Sequence, residues 1–329
     1  MATPLLSVVI PVFNEEAGLP ALFARLYPAL DALGTTYEII FVNDGSRDRS
    51  AALLREQWER RPDTTRVVLF NANYGQHLAI VAGFERCRGE RIVTMDADLQ
   101  NPPEEIGKLL VAMDAGHDYV GGVRRTREDS WWRRMASKAM NRLRERITRI
   151  HMTDQGCMLR AYSREIVTAV AESREVSTFI PALAYTYASN PTEIEVAHAE
   201  RAAGESHYPL YKLIRLNFDL ITGFSLVPLQ LFSMFGMLVS AIALATYVGV
   251  IAYRLYFVDW QNAAAVFWDR DILAFFLIGM LLFGLGLVGE YVGRIYQQVR
   301  ARPRYTIRAV LEREPDRDAD AHPPQAPQR

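Results

Sequence analysis

Arg91–Pro103 reads RIVTMDADLQNPP. Ile92–Thr94 is a short β-branched run, the pattern of a buried strand, and Met95 carries it to Asp96, Ala97 and Asp98, where the strand should end. Side chains alternate along an extended chain, so Asp96 and Asp98 point the same way and Ala97 points away. Gln100 follows, then Pro102 and Pro103 stop the chain and open a helix with Glu104 and Glu105 in its first turn. Two carboxylates and an amide oxygen at a strand end form part of a shell for a hard divalent cation. Mg2+ or Mn2+ takes such ligands and keeps positions open for phosphate oxygens. A D-x-D by itself is common in solvated turns. The order strand, DxDxQ, Pro-Pro, helix is the more specific signal.

Upstream, the same alternation repeats. Leu6–Val12 (LSVVIPV) is a continuous apolar run, as expected of a parallel strand covered on both faces. Leu19, Leu22, Phe23, Leu26 and Leu30 then recur at helical spacing. Tyr37–Val42 is a second strand ending in Asn43-Asp44-Gly45-Ser46, with Asp48 or Ser50 placed to cap a helix through Glu59. Arg66–Phe70 is a third, ending in Asn71-Ala72-Asn73-Tyr74-Gly75-Gln76. Four strand–helix alternations predict an α/β fold with a mostly parallel sheet and helices on both faces. Ligands of open α/β sheets bind at the carboxyl ends of the strands, which puts Phe13, Asn14, Glu15, Asn43, Asp44, Asn73, Gly75, Asp96 and Asp98 on one rim. No G-x-G-x-x-G follows a strand and no P-loop is present, which disfavours a dinucleotide oxidoreductase or an NTPase. A carboxylate rim with a metal suits a nucleoside diphosphate.

Tyr119–Val123 is expected as a fifth strand and Glu193–His198 as a further one. Asp154–Arg160 reads as a short segment leading to a helix from Ser163. Ser130–Ile150 (SWWRRMASKAMNRLRERITRI) is a basic amphipathic helix with tryptophans at one end, which suits an anionic membrane surface. Leu220–Tyr253 and Ile272–Gly289 carry no charged residue, and each is long enough, or nearly so, to span a bilayer as a helix. Basic residues cluster near both outer ends of this pair, so the N-terminal domain and the C-terminus are expected in the cytoplasm. Gly286, Gly289 and Gly293 recur at small-residue spacing, suited to close helix packing.

The expected organisation is a catalytic domain over 1–207 and a juxtamembrane helix over 208–225. A transmembrane hairpin over 226–300 and a tail over 301–329 follow, with Glu312–Arg329 disordered. The 37 basic and 38 acidic side chains of the 329 residues nearly cancel, giving no electrostatic case for nucleic acid. Cys87 and Cys157 are the only cysteines, too few and too distant for a disulfide framework. Leu5–Val12 lacks the basic flank and cleavage site of a signal peptide.

With these residues placed, the chain resembles the family-2, GT-A-type polyprenyl-phosphate glycosyltransferases. The motifs that carry the resemblance are VVIPVFNEE, NDGSRDRS, NYGQHLAIVAGF, DADLQNPPEEI, ERAAGES and GEYVGRIYQQVRARPRY, spread over nearly the whole chain. NYGQH, DADLQNPPEEI, GCMLRAY and STFIP are most similar to the branch that transfers 4-deoxy-4-formamido-L-arabinose in lipid A modification and polymyxin resistance. A glucosyl or mannosyl transferase to the same lipid is the alternative. No Q-x-x-R-W motif of a processive synthase is present, and the intact DxDxQ speaks against a non-enzymatic scaffold.

The resemblance implies a UDP-sugar donor, an undecaprenyl phosphate acceptor, and membrane lipids as partners. It also implies a multi-pass place in the bacterial inner membrane and a homo-oligomer, a tetramer in relatives. Pro11, Phe13, Glu15, Asn43, Asp44, Asn73, Gln76, Asp96 and Ala97 would line the nucleotide. Asp96, Asp98 and Gln100 would hold Mg2+ or Mn2+. Arg124, Arg133, Ser137, Arg160 and Arg201 would meet the lipid phosphate or the diphosphate. Asp154, named as catalytic alongside Asp98, stands where relatives carry a candidate catalytic carboxylate; a base, a residue that positions the sugar and one that orders Arg160 are its open roles. Phe13 replaces a common tyrosine. Asn43 replaces the first Asp of the usual DDGS, its amide oxygen a weaker acceptor for uracil N3–H.

Overall fold

The computed structural model describes residues 3–124, 152–154, 156–173, 179–197, part of 229–245, 266–299 and 303–313. Eight strands form one sheet. They are β1 Leu6–Val12, β2 Tyr37–Asn43, β3 Thr65–Phe70, β4 Arg91–Thr94, β5 Tyr119–Arg124, β6 Arg160–Ser163, β7 Pro191–Val196 and β8 Ile307–Leu311, in spatial order β7-β5-β6-β4-β1-β2-β3-β8. The pairs β1·β2, β1·β4, β2·β3 and β5·β7 are parallel. Only β6 and β8 run against the rest. The mostly parallel α/β sheet is therefore as the sequence predicts.

Alternation along the central strands sorts side chains to two faces. Leu6, Val8, Ile10 and Val12 of β1 join one core with α1 (Leu19–Asp31), α2 (Ser50–Arg60) and α4 (Ile106–Asp114). Val9 faces the other core, with α3 (Gln76–Phe84), α5 (Arg164–Glu172) and α6 (Ile180–Tyr187). Leu19, Leu22, Leu26 and Leu30 of α1 are fully buried, each contributing about 1.5–3 kcal/mol by leaving water. Parallel strands covered on both faces have no polar side, which is why their sequences read as unbroken apolar runs.

The structure differs from the sequence expectations in several places. β4 ends at Thr94, so Asp96–Asp98 lies beyond the strand. No side chain caps α2 at its N-cap Arg49; Asp48 instead accepts from Ser50 N one residue further on, at 3.0 Å. Arg160–Ser163, read as connecting chain, is the inner antiparallel strand β6. Ile307–Leu311, read as tail, completes the sheet edge against β3. Glu312, expected to be disordered, accepts from Arg66 and Arg88.

Among the described residues no helix is long and apolar enough to count as a membrane span, so the hairpin is not shown. The first expected arm is described only in part. The second is a continuous helix, α7, over Val266–Val299. Many of its described apolar side chains are exposed, Leu281, Leu282, Phe283 and Leu285 among them, while Leu287 is buried. The two arms touch: Phe232 lies 5.5 Å from the Phe283 ring and packs over Gly284. Gly284 is thus the close-contact glycine. Gly286, Gly289 and Gly293 face open space among the described residues. The basic helix expected over 130–150, the juxtamembrane segment and the 199–208 loop lie outside the described residues, as does the chain beyond 313.

Candidate active site

The rim is assembled from the loops after β1, β2, β3 and β4, and the first two are laced together. Asn14 N donates to Ser46 Oγ at 3.0 Å, Glu15 N to Ser50 Oγ at 2.9 Å, and Glu16 N to Asp48 Oδ2 at 3.1 Å. In return Arg47 N donates to Asn14 Oδ1 and Arg49 N to Glu16 Oε2, both at 2.9 Å. Much of the FNEE and DGSRDRS motifs is thus accounted for by backbone amides that would otherwise lack partners.

Asn43 and Asp44 are buried, 3% and 2% exposed. Asn43 Oδ1 accepts from Ser46 N at 2.9 Å. The amide oxygen expected to face uracil thus already accepts one hydrogen bond from its own turn. Asp44 accepts from Tyr74 N at 2.6 Å, Gly75 N at 2.8 Å and Asn73 Nδ2 at 2.9 Å. Burial pushes its pKa up, against those backbone donors. Asp44 thereby holds the 73–75 loop in place. Gly45 is required here: its φ is +68°, and a Cβ would collide with the Ala72 backbone. Phe13 is 43% exposed on the same rim. Pro11 and Glu15 are partly exposed, and Asn73 and Gln76 are exposed.

Ala97 is buried, while Asp96 and Asp98 on either side are partly exposed, so the alternation persists past the strand end. Gln76 Nε2 donates to Asp96 Oδ1 at 2.5 Å, and Gln100 N to Asp98 Oδ1 at 3.1 Å. Leu99 between them has φ 58° and Asn14 across the rim has φ 55°. A left-handed non-glycine costs on the order of 1–3 kcal/mol and concentrates at functional sites. Among the described residues no three His, Cys, Asp or Glu side chains gather as a metal cage. The oxygen donors of Asp96, Asp98 and Gln100 fit a hard cation that takes its other ligands from a diphosphate.

At the end of β5, Arg124 and Asp154 form a bidentate pair, Nε–Oδ2 at 2.6 Å and Nη2–Oδ1 at 2.7 Å. Burial opposes ionisation of Asp154, yet the Arg124 hydrogen bonds and charge hold its pKa below the ordinary carboxylate value. Those same hydrogen bonds raise the pKa of Arg124, and nearby Asp96 adds to the effect. Arg160 is a correction. It is 0% exposed, its Nε donates to Cys157 O at 2.8 Å, and its remaining contacts are Tyr119 Oη and Asp154 O. A guanidinium so enclosed is not presented to a phosphate. Arg133, Ser137 and Arg201 lie outside the described residues.

The glycosyl transferase family 2 model matches residues 7–170. The undecaprenyl-phosphate 4-deoxy-4-formamido-L-arabinose transferase of Aeromonas hydrophila subsp. hydrophila is 49% identical over 308 residues, covering 93% of this chain and 94% of that one. The protein of the same name from Pseudomonas aeruginosa strain LESB58 is 48% identical over 317 residues, 94% and 91% of the two chains.

The chain belongs to glycosyl transferase family 2. Among solved structures it is similar to glucosyl-3-phosphoglycerate synthase from Mycobacterium tuberculosis, with 19% identity, 67% and 78% of the chains covered, and a TM-score of 0.47. Mannosyl-3-phosphoglycerate synthase from Rubrobacter xylanophilus gives 14%, 67% and 72%, and 0.49.

Sequence reasoning missed two features of this family-2 transferase. His77, inside the quoted NYGQH, is partly buried with its ring edge-to-face with Phe179 at 5.2 Å, and burial of its ring drives its pKa down to about 4. Tyr305, from the returning C-terminal segment, stacks on Phe70 at 4.8 Å beside the end of β3. The first had a signal in its motif; the second depended on a strand pairing that no local pattern announces.

Proposed function

We propose that this glycosyltransferase transfers 4-deoxy-4-formamido-L-arabinose from its UDP derivative to undecaprenyl phosphate at the cytoplasmic membrane face, in lipid A modification. The observation that carries the reading is identity of 48–49% across more than nine-tenths of the chain with transferases so named. The bond from the anomeric carbon to the UDP oxygen breaks, UDP leaves with the electron pair, and a phosphate oxygen of the acceptor forms the new bond. That oxygen is already ionised, so no strong base is required.

Asp96, Asp98 and Gln100 would hold Mg2+ or Mn2+, which when bound neutralises charge on the leaving diphosphate. Pro11, Phe13, Glu15, Asn73 and Gln76 are the proposed nucleotide wall, with Asn43 and Asp44 shaping it from behind. Arg124 would meet the acceptor phosphate, with Arg133, Ser137 and Arg201 assigned to the phosphates by resemblance. Support for a membrane location comes from α7. A helix with so many exposed apolar side chains is poorly suited to water, and its uncharged run Ile272–Gly289 would reach about 27 Å, close to a hydrocarbon core.

The test is mass spectrometry of the lipid product with purified protein, undecaprenyl phosphate and a panel of UDP-sugars. A site that hydrogen-bonds the formamido group should reject sugars lacking it by about 10⁴-fold. Equal or better turnover with UDP-glucose would overturn the donor assignment.

A further inference from the structure

Asp154 sits where a base would be sought, but its oxygens are already engaged. Oδ2 accepts from Arg124 Nε at 2.6 Å and from Arg124 N at 3.4 Å; Oδ1 accepts from Arg124 Nη2 at 2.7 Å and from Gly156 N at 3.1 Å. A carboxylate has about four lone-pair sites, and these four donors take them. The surrounding chain is built to keep it so. The buried Arg160 grips the carbonyls of Asp154 and Cys157 from below. Thr153 N is tied to Glu193 Oε1 at 2.8 Å. Gly121 and Gly122 of β5 lack the Cβ that would meet Arg160 Nη1 at 2.9 Å and Leu159 O at 2.7 Å. Gly156 lacks the Cβ that would stand 2.8 Å from Arg124 Nη2, so the guanidinium lies against bare backbone.

We infer that Asp154 is a positioning residue: it fixes the Arg124 guanidinium by its Nε–Nη2 edge and leaves the Nη1 edge to the acceptor phosphate. This rests on the proposed transfer to a lipid phosphate, and on Arg124 as its contact. An arginine on a flexible stem loses rotamer freedom when it binds a phosphate; one already held in a fork has less to lose. The role differs in kind from proton removal, because Asp154 then acts only through Arg124.

A double-mutant cycle separates the two roles. The full-length protein in detergent or nanodiscs is assayed with undecaprenyl phosphate as Asp154→Asn, Arg124→Ala and the pair, with UDP affinity measured in parallel. The expected result is an acceptor KM raised about tenfold in Asp154→Asn, a smaller change in kcat, unchanged UDP affinity, and less than about a twofold further loss when Arg124 is already alanine. A kcat loss of about 10²–10⁴, the range of general-base removal, that persists in the Arg124→Ala background overturns the inference. Gly156→Ala keeps the carboxylate intact and displaces only the guanidinium, so it serves if Asp154→Asn fails to fold. A raised acceptor KM is expected there, and wild-type kinetics would overturn the inference. Absence of wild-type turnover with undecaprenyl phosphate overturns the proposed function itself, and this inference with it. Additive losses in an active enzyme overturn the inference alone.

Discussion

Glu312, in the C-terminal segment, accepts hydrogen bonds from Arg66 on β3, which also donates to Glu38 of β2 at 3.1 Å. Glu38 Oε1 accepts in turn from Ser7 Oγ of β1 at 2.7 Å. One chain of charge-assisted bonds therefore runs from the end of β8 across three strands, at the edge where the chain returns.

Glu312→Ala leaves Arg66 with half its hydrogen bonds, those to Glu38 and the Arg86 carbonyl, in a site where its side chain is 10% exposed. Charge-assisted bonds of this kind contribute about 1.5–3 kcal/mol, so a drop of that order in unfolding stability is expected. Arg313→Ala, which removes the exposed pair with Asp63, should cost less than about 1 kcal/mol. Denaturant unfolding of both variants measures the difference, and equal effects would mean that Glu312 does not secure β8.

Asp98→Asn removes a charged oxygen donor next to the Asx turn at Gln100. Turnover is expected to fall about a hundredfold or more, as when one preorganised electrostatic contact is lost, and excess chelator should abolish it in the wild type. Near-normal activity in either experiment refutes the metal assignment.

His77 carries a pH signature. Its folded pKa of about 4 lies below its ordinary 6.5, so below pH 6.5 the unfolded chain takes up a proton that the folded chain resists. Stability should be fully present above pH 6.5 and fall as the pH drops to about 4, by no more than about 3 kcal/mol. His77→Phe, which keeps an aromatic edge against Phe179, should flatten that window in pH-dependent denaturation. A wild-type slope that survives the substitution belongs to another group.

The parity of the chain path bears on topology. β7 leaves the sheet and β8 returns to it, so any membrane crossings between them must be even in number. A cysteine at position 262 should react with an impermeant reagent from outside intact cells, and one at 329 should not. Labelling at 329 alone, or at both, would contradict this arrangement.

The strands legible in the sequence were those whose burial is uniform: LSVVIPV, YEIIFVN and TRVVLF announce themselves as apolar runs. RAYS did not, because its Arg160 is buried by carbonyls and a tyrosine ring that the pattern cannot supply. IRAVL alternates between partly buried and exposed positions, and its partner lies at the far end of the sequence. In the site, motif and position were readable, but partnership was not. Asn43 and Asp44, which the resemblance assigns to the nucleotide, also satisfy backbone amides, a partnership that the motif does not announce. Arg160 and Arg124 look alike on the page, and only the structure distinguishes the enclosed guanidinium from the one at the rim.

The docking of β8 also sets an order of events during synthesis. β3, with all six of its residues buried in the finished sheet, has an open edge until Ile307–Leu311 has been made. An unpaired, flat, apolar edge invites pairing with another chain. A ribosome must deliver everything between β7 and β8 before that edge is closed, so the nascent domain passes through a vulnerable interval whose length is set by the intervening segment. A chain cut short before residue 307 would remain in that interval permanently.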